Sequence, residues 1–245
     1  MVFGDLIFTE GVTKELMASD FARNHSLGKR LGLSDVRVDL VRAPGEVFRG
    51  ANQDELTDIL LGIARDGFGT DIPIEEVRDN AFNCDALYLI SYGDKIKGFC
   101  SYKFIEHKGQ KILHLKGVVL EKEIQKHKHF YEVNKRAISD LSESGFDYLV
   151  MRTQNPVIYA ATSNLVSELF PNVALSEGAI PETIRDIALA VPTPKLPDDR
   201  MVIRGLYGRC LYDQVQHHKK ASAFFKDVLE LDYDSGDSVV LVGKI

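Results

Sequence analysis

The chain has 245 residues, 44% hydrophobic and 27% charged, with 30 Lys+Arg against 36 Asp+Glu and a formal net charge of −6. Those fractions exclude overall disorder, and the acidic balance excludes a general binder of nucleic acid or anionic membrane, since both reward a basic surface. Three separated cysteines, Cys84, Cys100 and Cys210, lie among apolar or aromatic neighbours as in a reducing compartment, and no apolar run approaches the ~18 residues of a membrane span, so a cytoplasmic protein without a leader is expected.

In chain order, Val2 to Phe8 reads as a strand and a helix starts near Thr13. Residues 1–35 are taken as an N-terminal extension to one mixed domain over 36–245. Alternation from Val36 to Val41 predicts a strand. Leu56, Ile59, Leu60 and Ile63 share one helical face, closed by Gly67, with a turn over Asp66 to Asp71 and a second short helix over Ile74 to Phe82. Three β-rich runs follow: Ala86 to Tyr92, Ile96 to Ile105 and Lys111 to Leu120. Tight turns at Gly93-Asp94-Lys95 and Lys108-Gly109-Gln110 make them an antiparallel meander.

The period then changes to helical. Phe130, Val133, Ala137, Ile138 and Leu141 form a stripe that ends at Gly145, and Phe146 to Met151 is another strand. Asn155-Pro156 is a helix start, Val157 to Leu169 supplies a further buried stripe, and Pro171 stops it. After Pro171 a helix is expected over Glu182 to Ala190, a strand over Met201 to Leu206, a helix over Ala221 to Leu229 and a closing strand over Ser238 to Gly243. A crossover helix makes the strand after it parallel to the strand before it and aims its N–H groups at the mouth of the sheet, where they suit a phosphate.

From about residue 86 to 170 this order resembles the GNAT superfamily of acyl-CoA-dependent N-acyltransferases. The resemblance implies an α/β (α+β) fold, with a mostly antiparallel mixed sheet, one parallel pair splayed into a V and helices on both faces. It implies acetyl-CoA, or another acyl-CoA, as co-substrate, and its cofactor-binding residues would be Leu120, Gln125, Lys126, His127, Lys128, His129, Phe130 and Asn155. Gln125 matches the Gln or Arg of the family's pyrophosphate loop, whereas Lys128 and Phe130 stand where two small residues belong. Lys128 could supply a point charge instead. From Lys122 to Arg136 five Lys/Arg face two acids, a basic island in an acidic chain.

The implied chemistry is direct attack of a neutral amine on the thioester, with a backbone N–H near Leu120 steadying the oxyanion. Tyr159 is the candidate general acid and His114 the candidate base; Thr162 occupies the position about seven residues after Asn155 where the family's Tyr is usual. Phe68 would line the acceptor end. Asn155 also reads as a plain helix cap. The acceptor would be a small-molecule or peptide amine, with no nucleic-acid or membrane partner, and a homodimer is admitted. No metal is expected: Asp232 to Asp237 lacks the ligand spacing of a calcium loop, and His127, His129, His217 and His218 lack partners at metal-binding spacing. The alternative is a catalytically silent module of the same fold that binds CoA or a protein through the same cleft.

Overall fold

A computed structural model describes residues 36–127, 129–173 and 180–245. The expected strand and helix of residues 1–35 lie outside the described residues. The strands are β1 (Val36–Arg42), β2 (Ala86–Tyr92), β3 (Lys95–His107), β4 (Gln110–Leu120), β5 (Tyr148–Thr153), β6 (Glu168–Phe170), β7 (Val202–Ile203) and β8 (Ser238–Lys244). Main helices are α1 (Ala51–Phe68), α2 (Ile74–Phe82), α3 (His129–Asp140), α4 (Pro156–Thr162) and α5 (Glu182–Leu189).

The strands form one sheet in the order β1-β2-β3-β4-β5-β8-β6, with β7 also on β8. Every pairing is antiparallel except β4 with β5. This is the mixed sheet with one parallel pair that the resemblance implies. The reason lies in the connections: turns of two residues can only reverse the chain, whereas α3 carries it back across the sheet so that β5 starts beside the start of β4.

Both faces are covered. On one, α3 and α4 pack on Leu113, Leu115, Leu149 and Met151. The other carries α1 and α2 over β1 to β4, and α5 over Ile112, Val150 and Val242. A buried chain fastens α3 to β3: the Cys100 thiol donates to the Tyr102 hydroxyl (3.3 Å), which donates to Asn134 Oδ1 (2.7 Å), while Asn134 Nδ2 donates to the Phe130 carbonyl (2.7 Å).

Three expectations are corrected. Gly67 does not end α1; it lies inside the helix, packed against β4, and the cap is Gly69 at φ 74, whose N–H donates to the Arg65 carbonyl. The stripe from Val157 to Leu169 is not one helix: α4 stops at Thr162, and Leu169 is buried in β6 because β8 offers a free edge there. The strand expected over Met201 to Leu206 is only Val202–Ile203. No helix among the described residues is long and apolar enough to cross a membrane.

Candidate active site

The parallel ladder between β4 and β5 runs only from Ile112↔Tyr148 to Leu115↔Met151, yet β4 continues to Leu120 and β5 to Thr153. The sheet splits there. The pairing of β3 with β4 shifts at the same place, with Tyr102 opposite Leu115 and Ser101 opposite Gly117, so Lys116 is the extra residue of a bulge. A bulge bends its strand and raises its twist, which turns β4 away from β5. It also resets the alternation: Leu113 and Leu115, then Val118 and Leu120, all face the α3 side, an odd step across Lys116.

Each strand is held apart by its own partners. Lys116 Nζ donates to Asp79 Oδ2 (2.8 Å) and to the carbonyls of Asp79 and Asn83 (both 3.0 Å), tying the bulge to α2. On the other arm, β5 stays with β8 through Thr153↔Val239, and Gln154 Nε2 donates to the Asp237 carbonyl (2.9 Å).

A strap from Tyr207 to Gln216 bridges the two strand tips. Gln154 Oε1 accepts from Leu211 N–H (2.8 Å), and the Asn155 side chain approaches the Tyr212 hydroxyl. Across the opening, Thr70 Oγ1 donates to the Leu211 carbonyl (2.8 Å), Asp213 N–H to the Phe68 carbonyl (2.9 Å), and Lys122 Nζ to Asp213 Oδ2 (2.8 Å). Phe68 and Tyr212 meet edge to face with centroids 5.1 Å apart. Phe68 thus stands at the strap, on the α1 side of the split.

The residues expected to bind the cofactor are only partly gathered there. Asn155 sits at the tip of β5, where its Oδ1 caps α4 by accepting from Val157 N–H (2.9 Å). The Gln125 amide donates to the carbonyls of Gly67 (2.8 Å) and Leu120 (2.9 Å), and its Oε1 accepts from Gln216 (2.9 Å), so its polar atoms are engaged within the chain. The Leu120 carbonyl therefore faces Gln125 and α1, and the backbone beside the split is that of Lys116 to Val119. Phe130 is a core residue, buried with Leu115, Leu120 and Met151. His129 is buried at the start of α3. Lys128 and the side chains of Lys126 and His127 lie outside the described residues. Of the basic island, Lys122 is paired with Asp213, Arg136 with Asp140 (3.1 Å), and Lys135 lies over the Tyr131 ring (5.8 Å).

The two catalytic candidates, Tyr159 and His114, are both buried. Tyr159 is buried, and its hydroxyl donates to the Pro171 carbonyl (2.9 Å) and accepts from Val173 N–H (3.1 Å). It is a strut between α4 and the segment after β6, its proton committed to the Pro171 carbonyl. His114 is buried on β4, on the α2 side; burial, and then the charges of Arg152 and Lys116, push its pKa down to about 3. Burial on this side therefore weakens the imidazole as a base.

Sequence reasoning passed over Arg152 and Tyr212. Arg152 is on β5 with Val150, facing α2, and its charge reaches His114, Asp79 and Tyr207. Tyr212 carries the phenol nearest Asn155, and burial raises its pKa. Alternation in β5 could have put Arg152 beside His114. Nothing local marks Tyr212, which sits in a stretch without periodicity. No group of His, Cys, Asp or Glu among the described residues could hold a metal ion.

No protein-family model matches the chain, and no curated protein does. Solved structures do. A ribosomal-protein alanine N-acetyltransferase from Escherichia coli superposes with a TM-score of 0.48 at 8% identity, covering 85% of this chain and 94% of that one. An IAA acetyltransferase from Bacillus cereus gives 0.45 at 8% identity, covering 85% and 99%. The catalytic domain of a Tetrahymena histone acetyltransferase in complex with coenzyme A gives 0.41 at 13% identity, covering 60% and 81%.

Proposed function

We propose that this chain is an acyl-CoA-dependent N-acyltransferase, passing an acetyl or other acyl group from the thioester to an amine at the split between β4 and β5. The observation that carries the reading is the bulge at Lys116 where the parallel ladder stops while both strands continue. Beyond it, among the described residues, no strand pairs with the β5-facing edge of β4. An extended amide-bearing chain such as pantetheine can hydrogen-bond to such an edge, and a strand N–H there can steady the oxyanion. The diphosphate would rest on Lys126, His127 and Lys128, next to α3.

In this reading the neutral amine attacks the thioester carbon, the carbon–sulfur bond breaks, and the sulfur must gain a proton as the nitrogen loses one. Tyr212, whose hydroxyl lies beside Asn155 at the tip of β5, would give the proton to sulfur. His114 is too weak a base, so the amine's proton leaves through water.

The test has two stages. Acetyl-CoA at 100 times its dissociation constant should stabilise the chain by ~2.7 kcal/mol, readable in a thermal melt. Release of free CoA thiol with a panel of amines then reports transfer, and Tyr212→Phe should slow it while leaving the CoA-dependent melting shift intact. No shift with millimolar acetyl-CoA defeats the proposal. A second reading, a silent module, is favoured by Gln125, Lys122 and Tyr159 being bound within the chain and by Phe130 lying in the core. A CoA shift without thiol release from any amine would select it.

A further inference from the structure

Among the described residues, each arginine is either ion-paired or on the surface, except Arg152. Arg37, Arg65, Arg78, Arg136, Arg185, Arg200, Arg204 and Arg209 all hold carboxylates, and Arg42 and Arg49 are exposed. Arg152 is half-buried at the tip of β5, one residue past the last rung of the parallel ladder. The acid whose charge it feels, Asp79, is held by Lys116 (2.8 Å), and the nearby Glu76 is held by Arg209 (3.2 Å). Beside it, His114 is 3% exposed and its Nε2 has no hydrogen-bond partner. A cation without an anion, next to a buried imidazole nitrogen without a partner, is an arrangement completed by a ligand rather than by the fold.

We infer that Arg152 and His114 form a seat for an anionic group, a carboxylate or a phosphate, on the acceptor, so that the amine acylated here belongs to an acidic small molecule. This deepens the proposed acyl transfer and rests on it. The placement suits the reaction. The α2 side of the sheet is opposite α3, so an acceptor anchored at Arg152 approaches the split from the face away from the expected diphosphate. Guanidinium forks pair bidentately with carboxylate or phosphate, which fixes orientation as well as affinity. The unpartnered Nε2 of His114 can donate to the same anion.

Three probes that differ in one group decide it: ethanolamine, β-alanine and O-phosphoethanolamine. Each is assayed for thiol release with acetyl-CoA and, without acetyl-CoA, for its shift of the melting temperature. The full-length chain should be stabilised by the acidic probes and not by ethanolamine, and the arm with the larger shift tells carboxylate from phosphate. Arg152→Gln should abolish that shift and raise KM for the acidic amine tenfold or more, with the acetyl-CoA shift unchanged; Arg152→Lys should restore part of it. Equal shifts from the charged and uncharged probes, or an Arg152→Gln chain that keeps the acid-dependent shift, overturn the seat. Acid-dependent shifts without thiol release keep the seat and defeat the transfer reading, so the two fail separately.

Discussion

Two glycines in α1 test how tightly that helix sets the arm of the split. A Cβ at Gly62 meets no atom within 4 Å, whereas at Gly67 it would run into the Leu120 carbonyl and lie 3.1 Å from Val119 Cγ1. Replacing either by Ala in a helix interior gains ~1 kcal/mol of intrinsic propensity. At Gly62 that effect acts alone, so the variant should melt higher by ~2–4 °C for a chain of this size. At Gly67 the obstacle is main chain, held in register against Gly98 and by the Gln125 amide, and it cannot step aside. Overpacking costs ~1–3 kcal/mol, and losing the Gln125 bonds to Gly67 and Leu120 costs ~1 kcal/mol more. Against the propensity gain, Gly67→Ala should lose ~1–3 kcal/mol, so the two variants diverge by ~2–4 kcal/mol. Calorimetric melting and urea titration read this directly. If both substitutions raise stability alike, β4 does not bear on α1 as described.

Other outcomes follow from the same contacts. His114 is held neutral in the folded chain down to about pH 3, while the unfolded chain takes up its proton near 6.5, so stability falls as pH drops through that window. In urea titrations at pH 7, 6 and 5, His114→Gln should flatten this decline by up to ~1.4 kcal/mol per pH unit; an unchanged slope would remove His114 as its source. Asp237, buried, accepts from Arg204 Nη1 (2.7 Å), Gly205 N–H (2.8 Å) and Ser235 Oγ (2.8 Å). Asp237→Asn should cost ~2–4 kcal/mol in denaturant unfolding, since it strips the charge from a buried acceptor of several donors; a loss below half a unit on that scale would mean the knot is slack. Burial pushes the Cys84 and Cys100 thiols up to about 12, while Cys210 is half-buried. A thiol dye should label one cysteine quickly in the native chain and all three in urea, and two fast thiols would contradict the packing around β2 and β3.

Much of the fold was legible because its signals are local. The alternation in β1 to β3, the two-residue turns and the stripe Phe130, Val133, Ala137 each reflect which side of an element meets the core. Asn155-Pro156 was legible for the same reason, as a cap needs only its own neighbours. The run from Val157 to Leu169 misled because a helical period was present, and only the open edge of β8 turns its end into a strand. At the site, Gln125 and Phe130 were placed by their order after a strand, which says nothing of where their side chains point.

Local stretches of the chain set the order and period of the elements, the parallel pair and the acidic balance, since each depends on residues close together in the chain. Only long-range packing made Tyr159 a strut, lowered the basicity of His114, set Tyr212 beside Asn155 and left Arg152 with no ion pair among the described residues. The physical reason is that burial, charge pairing and hydrogen-bond satisfaction are properties of what lies across a gap. Here partners across the gap can lie 141 positions apart, as in the bond between Thr70 and Leu211.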